Sequence, residues 1–286
     1  MRSVDIVFEN RRVLPGDTLS GKVVIRTDEP FDCNRVVLKF KSRERTQHGS
    51  GDNRRVDTKN ILSRVFRISE GKNIPAGNSA IPFSFQVPKG IPPSFQGYHG
   101  DIKHTIEAVV EIDWALDPKL KLEYTVIQHR PPYIPVVGDT RVLSKEDDGL
   151  HVRLDSDVLR MDTGIFVRFE VEQKKRMRRV RIDIRKRQEA KCGWNQLSHE
   201  SNVRREYVNL GEEDWGRWKE CTIGENWKYH LPFSSQLFRV GYYLQVTLEV
   251  GWDIDPSLRF PLTFSDNEPE KDVLDEIAMD LGLEEW

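Results

Sequence analysis

One seven-residue pattern occurs twice in this chain and limits what the chain can fold into. Trp114, Asp117, Pro118 and Leu120 are repeated as Trp252, Asp255, Pro256 and Leu258, each displaced by 138 positions. Upstream of each tryptophan the residues alternate. Ile106, Ala108, Val110 and Ile112 share one face with Trp114, opposite Thr105, Glu107, Glu111 and Asp113. Leu244, Val246, Leu248 and Val250 share one face with Trp252, opposite Gln245, Thr247, Glu249 and Asp253. A period of two marks a strand buried on one side. The Asp-Pro pair then turns the chain, because proline presets φ and aspartate bonds nearby backbone. A long half-buried strand with the same turn, met twice, predicts two related β domains.

Further landmarks keep the same order in both halves. Val13 to Thr18 is matched with Val158 to Thr163, and Pro82-Phe83-Ser84 with Pro232-Phe233-Ser234. Strands are expected at Val4 to Phe8, Leu19 to Ile25, Val36 to Phe40, Ile61 to Ile68, around Phe83 and over Leu120 to Ile127. The polar stretch from Gln47 to Lys59 is expected to be a long loop. A length of 286 residues suits two domains. Arg130-Pro131-Pro132 to Asp139 reads as a stiff linker between them. The expected organisation is a β-sandwich over 1–135, a second over 136–265 and an acidic tail over 266–286. Short strands with turn signals and almost no helical period indicate an all-β chain of immunoglobulin-like sandwiches. The exception is the tail, where Val273, Ile277 and Leu281 fall on one face of a short amphipathic helix.

From Ile81 to Asp117 the chain resembles the arrestin-like superfamily. The resemblance rests on Pro-Phe-Ser-Phe-Gln-Val-Pro at 82–88, on Phe95-Gln96-Gly97-Tyr98-His99-Gly100 and on the long strand ending at Trp114. The turn Pro15-Gly16-Asp17 and the strand after it also look like this family. Trp114 to Lys119 is closest to its bacterial sporulation-control branch, and Phe95 to Gly100 to the α-arrestins. The resemblance implies two immunoglobulin-like sandwiches joined by a linker. It implies a cytoplasmic, non-catalytic adaptor or scaffold in trafficking or signalling, some members binding phosphorylated tails of membrane proteins. Pro131-Pro132-Tyr133 lacks the spacing of a PPxY ligase-recruitment motif.

The chemistry expected from the residues points the same way. Seven histidines show no metal-ligand spacing, and no GxSxG elbow or phosphate-cradling loop is present, so neither cofactor nor metal is expected. His104, on the apolar face of its strand, reads as a core histidine. Three cysteines without CxxC spacing predict no disulfide framework and a reducing compartment. No leader or membrane-spanning run is expected, so the protein is expected in the cytoplasm.

Charge carries the sharper signal. The net charge is −2, but the tail holds nine acids and one base, −8, leaving +6 on residues 1–265. The segment Lys174 to Arg187 has nine bases in fourteen residues. Its Val180, Ile182 and Ile184 are expected to be buried and its Arg179, Arg181 and Arg185 to line the open face. Lys39, Lys41 and Arg43 form a milder counterpart. Both faces are candidate anion or partner sites, since guanidinium forks bind carboxylate and phosphate bidentately; a plain solvated strand face is the bland alternative. The expected partner is the acidic or phosphorylated tail of a membrane-associated protein, with an anionic lipid surface as the alternative. Exposed aromatics interleaved with the basic strands are not expected, which argues against nucleic acid. The acidic tail is expected to compete for the basic faces through a helix docked by Val273, Ile277 and Leu281.

Overall fold

The computed structural model describes residues 2–113, 116–135, 143–172, 177–251 and 254–267. The two repeated tryptophans and the tail helix fall outside the described residues. Within them the regular structure is β throughout, apart from two short 3-10 turns at Gly51–Asn53 and Glu212–Asp214. No helix among them is long and apolar enough to cross a membrane.

The first half of the chain runs β1 (Arg2–Phe8), β2 (Arg12–Val13), β3 (Thr18–Thr27), β4 (Phe31–His48), β5 (Arg55–Ile74), β6 (Gly77–Gln86), β7 (Phe95–Gly97), β8 (Gly100–Glu111) and β9 (Lys119–Val126). The second runs β10 (Leu143–Asp147), β11 (Leu150–Leu154), β12 (Val158–Arg160), β13 (Ile165–Val171), β14 (Met177–Cys192), β15 (Asn195–Asn209), β16 (Lys219–Ile223), β17 (Phe233–Ser234), β18 (Phe238–Val250), β19 (Ser257–Pro261) and β20 (Thr263–Ser265). The chain divides into two compact units. Unit 1 holds 1–129 with 188–199 and 233–239; unit 2 holds 130–187, 200–232 and 240–286.

In unit 1 a three-stranded sheet, β1-β3-β6, lies with a larger one, β2-β9-β8-β4-β5, that also carries β7 on β8. The alternation of each strand sends one side chain in two into the core. Leu19, Val23 and Ile25 come from β3, Phe83 and Phe85 from β6, Val36, Leu38 and Phe40 from β4, and Ile106, Ala108 and Val110 from β8. Phe40 stacks on Phe85 with ring centroids 4.0 Å apart. Aromatic pairs of this kind add about 0.5–1.5 kcal/mol beyond the area they bury.

Unit 2 is built on the same plan. Its sheet β10-β11-β13-β16 buries Leu150, Val152, Val167 and Phe169. Its other sheet places β14 between β15 and β18, with β19 on β18. Val180, Ile182 and Ile184 of β14 are buried as the sequence indicated, and so are Leu244, Val246 and Leu248 of β18.

The repeated Asp-Pro pattern has one structural meaning in both places. Asp117 Oδ1 accepts the Ile112 N–H at 3.0 Å, and Asp255 Oδ1 accepts the Val250 N–H at 2.9 Å. The Pro118 carbonyl takes the Val110 N–H, and the Pro256 carbonyl takes the Leu248 N–H, both at 3.0 Å. Each Asp therefore satisfies a strand-end donor and each proline carbonyl closes the ladder. The Val13 and Val158 landmarks correspond as well. β2 pairs in parallel with β9 through Val13↔Val126, and β12 pairs in parallel with β20 through Leu159↔Phe264.

Two expectations need correction. Phe233 is the counterpart of Phe95 rather than of Phe83: it lies 138 residues on, the offset of the tryptophans. Each opens a short strand, β7 beside β8 and β17 beside β18. The strand that sits beside β13 as β6 sits beside β3 is β16. The expected loop from Gln47 to Lys59 is also mostly strand. β4 and β5 stay paired, across two register shifts, as far as His48↔Arg55. The apolar alternation stops at Phe40, but burial does not: Ser42, Glu44 and Thr46 are as buried as the valines before them. Polar residues on the inward face erased the period that would have marked the strand.

Candidate interaction surfaces

β4 changes character halfway along its length, on both faces. Its inward half after Phe40 is polar, and every polar group there has a defined partner. His104 Nδ1 and Ser42 Oγ lie 2.7 Å apart. The Glu44 carboxylate accepts the N–H of Leu237 at 2.6 Å and of Gln236 at 3.3 Å. The Thr46 hydroxyl donates to the Lys191 carbonyl at 2.6 Å. A buried carboxylate is tolerated when fixed backbone donors replace its water. Residues 188–199 and 233–239 thus complete unit 1 over the polar half of β4. Phe95 joins them, its ring centroid 5.1 Å from Phe233 and 5.5 Å from Phe238.

The segment Phe95 to Gly100 is bonded to both sides of this arrangement. The Tyr98 N–H donates to Gln188 Oε1 at 3.0 Å, and the His99 carbonyl takes the Gln47 N–H at 2.8 Å. Gly100 lets the turn sit against β4: a Cβ there would lie 1.9 Å from the Arg45 carbonyl oxygen. His104 is a core residue, 1 % exposed. Burial drives its pKa from 6.5 down to about 4, partly offset by the carbonyls of Pro92 and Pro93. Burial likewise pushes the neighbouring Tyr124 phenol up to about 12, with Ser42 acting the other way. Neither group is poised for acid–base work near neutral pH.

The outward face of β4 carries Lys39, Lys41 and Arg43 at alternate positions. Lys41 and Arg43 are exposed and Lys39 is half-buried. Opposite them on β5 stand Val65, Ser63 and Asn60, and opposite them on β8 stand Glu107, Thr105 and Lys103. No carboxylate lies within salt-bridge distance of Lys39, Lys41 or Arg43 among the described residues, although at the strand's start Arg35 is paired with Glu111 at 2.6 Å.

The arginines of β14 are arranged differently. Arg179 Nε meets Glu249 Oε2 at 2.6 Å, and its guanidinium lies 3.9 Å from the Tyr207 ring centroid. Arg181 bridges Glu249 at 2.6 Å and Asp183 at 2.9 Å, and Arg205 takes the other Asp183 oxygen at 2.6 Å. Arg185 bonds Gln245 at 3.1 Å and faces Glu200 at 3.6 Å. The result is an alternating chain, Arg179–Glu249–Arg181–Asp183–Arg205. The hydrogen bond from Arg179 holds Glu249 below the usual carboxylate range and raises Arg179 in return. The Tyr243 hydroxyl does the same to Glu200, with Arg185 and Arg259 adding to it. Arg179, Arg181 and Arg185 are therefore engaged by carboxylates of their own sheet. The sequence could not show this, because Glu249 is 68 residues from Arg181 and became a neighbour only through the β14–β18 pairing.

Val273, Ile277 and Leu281 of the tail lie outside the described residues. Among those described, no group of three His, Cys, Asp or Glu side chains is placed to hold a metal ion.

Two facing sheets closed by Asp-Pro turns define an all-β sandwich whose prominent surface chemistry is a basic strand face. Residues 4–130 match the family described as arrestin (or S-antigen), N-terminal domain. Arrestin domain-containing protein 17 of Caenorhabditis elegans is 31 % identical over 143 residues, 43 % of this chain and 33 % of that protein. Arrestin domain-containing protein 1 of Homo sapiens is 24 % identical over 126 residues, 43 % of this chain and 29 % of that protein. Over residues 4–130 the chain is thus similar to the arrestin N-terminal domain, in line with the resemblance its sequence carries. It spans about a third of the length of the curated relatives it matches.

Proposed function

We propose that this chain is a non-catalytic, cytoplasmic arrestin-like adaptor that binds the acidic or phosphorylated tail of a membrane-associated protein. The observation that carries this reading is the contrast between the two basic strands. Lys39, Lys41 and Arg43 stand without a carboxylate partner among the described residues, whereas Arg179, Arg181 and Arg185 are engaged. An exposed cation that meets a phosphate desolvates little and gains a charge-assisted hydrogen bond. One already paired must first break that pair. β4 is therefore the anion-binding strand, and β14 a structural one.

The acidic segment 266–286, at −8, is the anion nearest at hand. Tethering gives it an effective concentration in the millimolar range, so weak attraction to β4 suffices to make it a competitor of the partner's tail. The attraction is salt-dependent, since the Debye length is about 8 Å at physiological ionic strength.

Fluorescence polarisation of a labelled acidic peptide, phosphorylated and unphosphorylated, tests the reading. Lys39→Gln/Lys41→Gln/Arg43→Gln is expected to weaken the phosphorylated peptide at least tenfold. Truncation after Ser265 is expected to strengthen it. Equal affinity of the wild type and the triple variant would overturn the assignment to β4.

A further inference from the structure

One end of unit 1 holds two aromatic side chains that the fold leaves in water. Trp194 is 99 % exposed and Tyr98 69 %. Trp194 is the second residue of a two-residue turn joining β14 to β15, and Gly193 before it has φ +61°. A glycine with positive φ in the first central position matches the right-handed twist of a hairpin, so the turn explains the glycine but not the tryptophan.

The turn is fixed rather than free. The Gly193 N–H donates to Asp57 Oδ2 at 3.3 Å, the Cys192 thiol lies 3.6 Å from the Arg55 carbonyl oxygen, and Thr46 holds the Lys191 carbonyl. These bonds seat the turn on the end of the β4–β5 hairpin. Tyr98 belongs to the same end through its bond to Gln188, and its ring stacks on His199 with centroids 4.0 Å apart.

Charge at this end is positive. Its exposed bases are Arg54, Arg55 and Lys191, with Arg45 half-buried, against exposed Asp52 and half-buried Asp57, whose carboxylate already holds the Gly193 N–H; Asp101, opposite Arg45, and Glu44 are buried, and Glu189, farther back on β14, is half-buried. Arg54 bonds the neutral Gln47 at 2.6 Å. The side chains beside Trp194 on its own strand are polar, Asn195, Gln196 and Ser198, and on β5 the aliphatic Val56 is 47 % exposed. A stable protein interface needs an apolar centre within about 1,000 Å² of buried area, and this end does not supply one. Two isolated amphipathic rings set among bases match the bilayer–water boundary instead. There Trp and Tyr rest at headgroup level, and basic residues are drawn to anionic lipid.

We propose that the Trp194 turn, with Tyr98 and the bases at the end of the β4–β5 hairpin, is a membrane-contact site for anionic lipid bilayers. The site goes beyond the adaptor reading and does not depend on it, since it uses neither Lys39, Lys41 nor Arg43. It would hold an adaptor at the surface that displays its partner's tail.

The test uses the full chain with unilamellar vesicles of phosphatidylcholine, with and without phosphatidylserine, some carrying brominated acyl chains near the headgroup. Wild type is expected to sediment with the phosphatidylserine vesicles, and bromine to quench its tryptophan emission more than that of Trp194→Phe. Because Trp194 touches little of the fold, Trp194→Ala keeps the fold and is expected to lower the partition coefficient by about tenfold. Arg54→Gln/Arg55→Gln is expected to lower it by about 30-fold at low salt and far less at high salt. Lys39→Gln/Lys41→Gln/Arg43→Gln, which tests the adaptor reading, is expected to leave the quenching intact. Three results would each overturn the site: no preference for phosphatidylserine, equal quenching in wild type and Trp194→Phe, or equal sedimentation of wild type and Trp194→Ala. Trp194-dependent capture of a peptide without vesicle binding would reassign the turn to a protein partner.

Discussion

Acidification should destabilise this protein through His104. The folded chain holds the imidazole neutral, with a pKa lowered from 6.5 to about 4 by burial, while the unfolded chain titrates near the ordinary value. Between those two values the unfolded state binds more protons, so stability rises with pH across the window. The contribution is fully present above pH 6.5 and is lost as pH falls through the folded value. Integrating the linkage relation gives a loss of about 2 kcal/mol by pH 5 and about 3 kcal/mol by pH 4. Carboxylates titrate in the lower part of the same window, so the informative quantity is a difference. His104→Gln keeps a neutral hydrogen-bonding side chain beside Ser42 and removes the titration. Urea unfolding of wild type and His104→Gln at pH 7, 6, 5 and 4 should give curves whose separation changes by about 3 kcal/mol in favour of the variant as pH falls. Parallel curves would show that His104 is protonated in the fold or reached by water, and would refute the reading of its surroundings.

Glu44→Ala should cost about 1–3 kcal/mol for each N–H it strands, those of Gln236 and Leu237, read as a lowered urea midpoint. A Glu44→Ala protein of wild-type stability would mean that residues 233–239 do not depend on that carboxylate. Tyr243→Phe removes the largest influence lowering Glu200, so the Glu200 carboxyl should titrate at higher pH in a carboxylate-resolved NMR experiment. Glu249→Gln removes the carboxylate shared by Arg179 and Arg181, but Arg181 keeps Asp183 and both guanidiniums are partly solvated, so the urea midpoint should fall less than for Glu44→Ala.

What could be read from the sequence follows the chemistry of each strand's inward face. β8 and β18 were legible because aliphatic residues filled every second position up to the Asp-Pro turn. Val180, Ile182 and Ile184 were legible amid nine bases for the same reason. The end of β4 was not, because Ser42, Glu44 and Thr46 face inward and their partners, His104, Gln236, Leu237 and Lys191, lie 62 to 193 residues away. On the outer faces the sequence located two basic strands but could not rank them. The ranking depends on Glu249, Asp183 and Glu200, and only strand pairing brings these to the arginines. Trp194 carried no pattern at all, since a two-residue turn has no period.

The proposed function requires that β4, and not β14, meets the partner's anion. Backbone amide shifts recorded by NMR while a phosphorylated acidic peptide is titrated into the full chain test it most directly. The largest changes are expected on residues 39–45 and their cross-strand neighbours 58–65, with residues 179–185 staying near their starting positions. Changes confined to 179–185, with 39–45 unmoved, would contradict it.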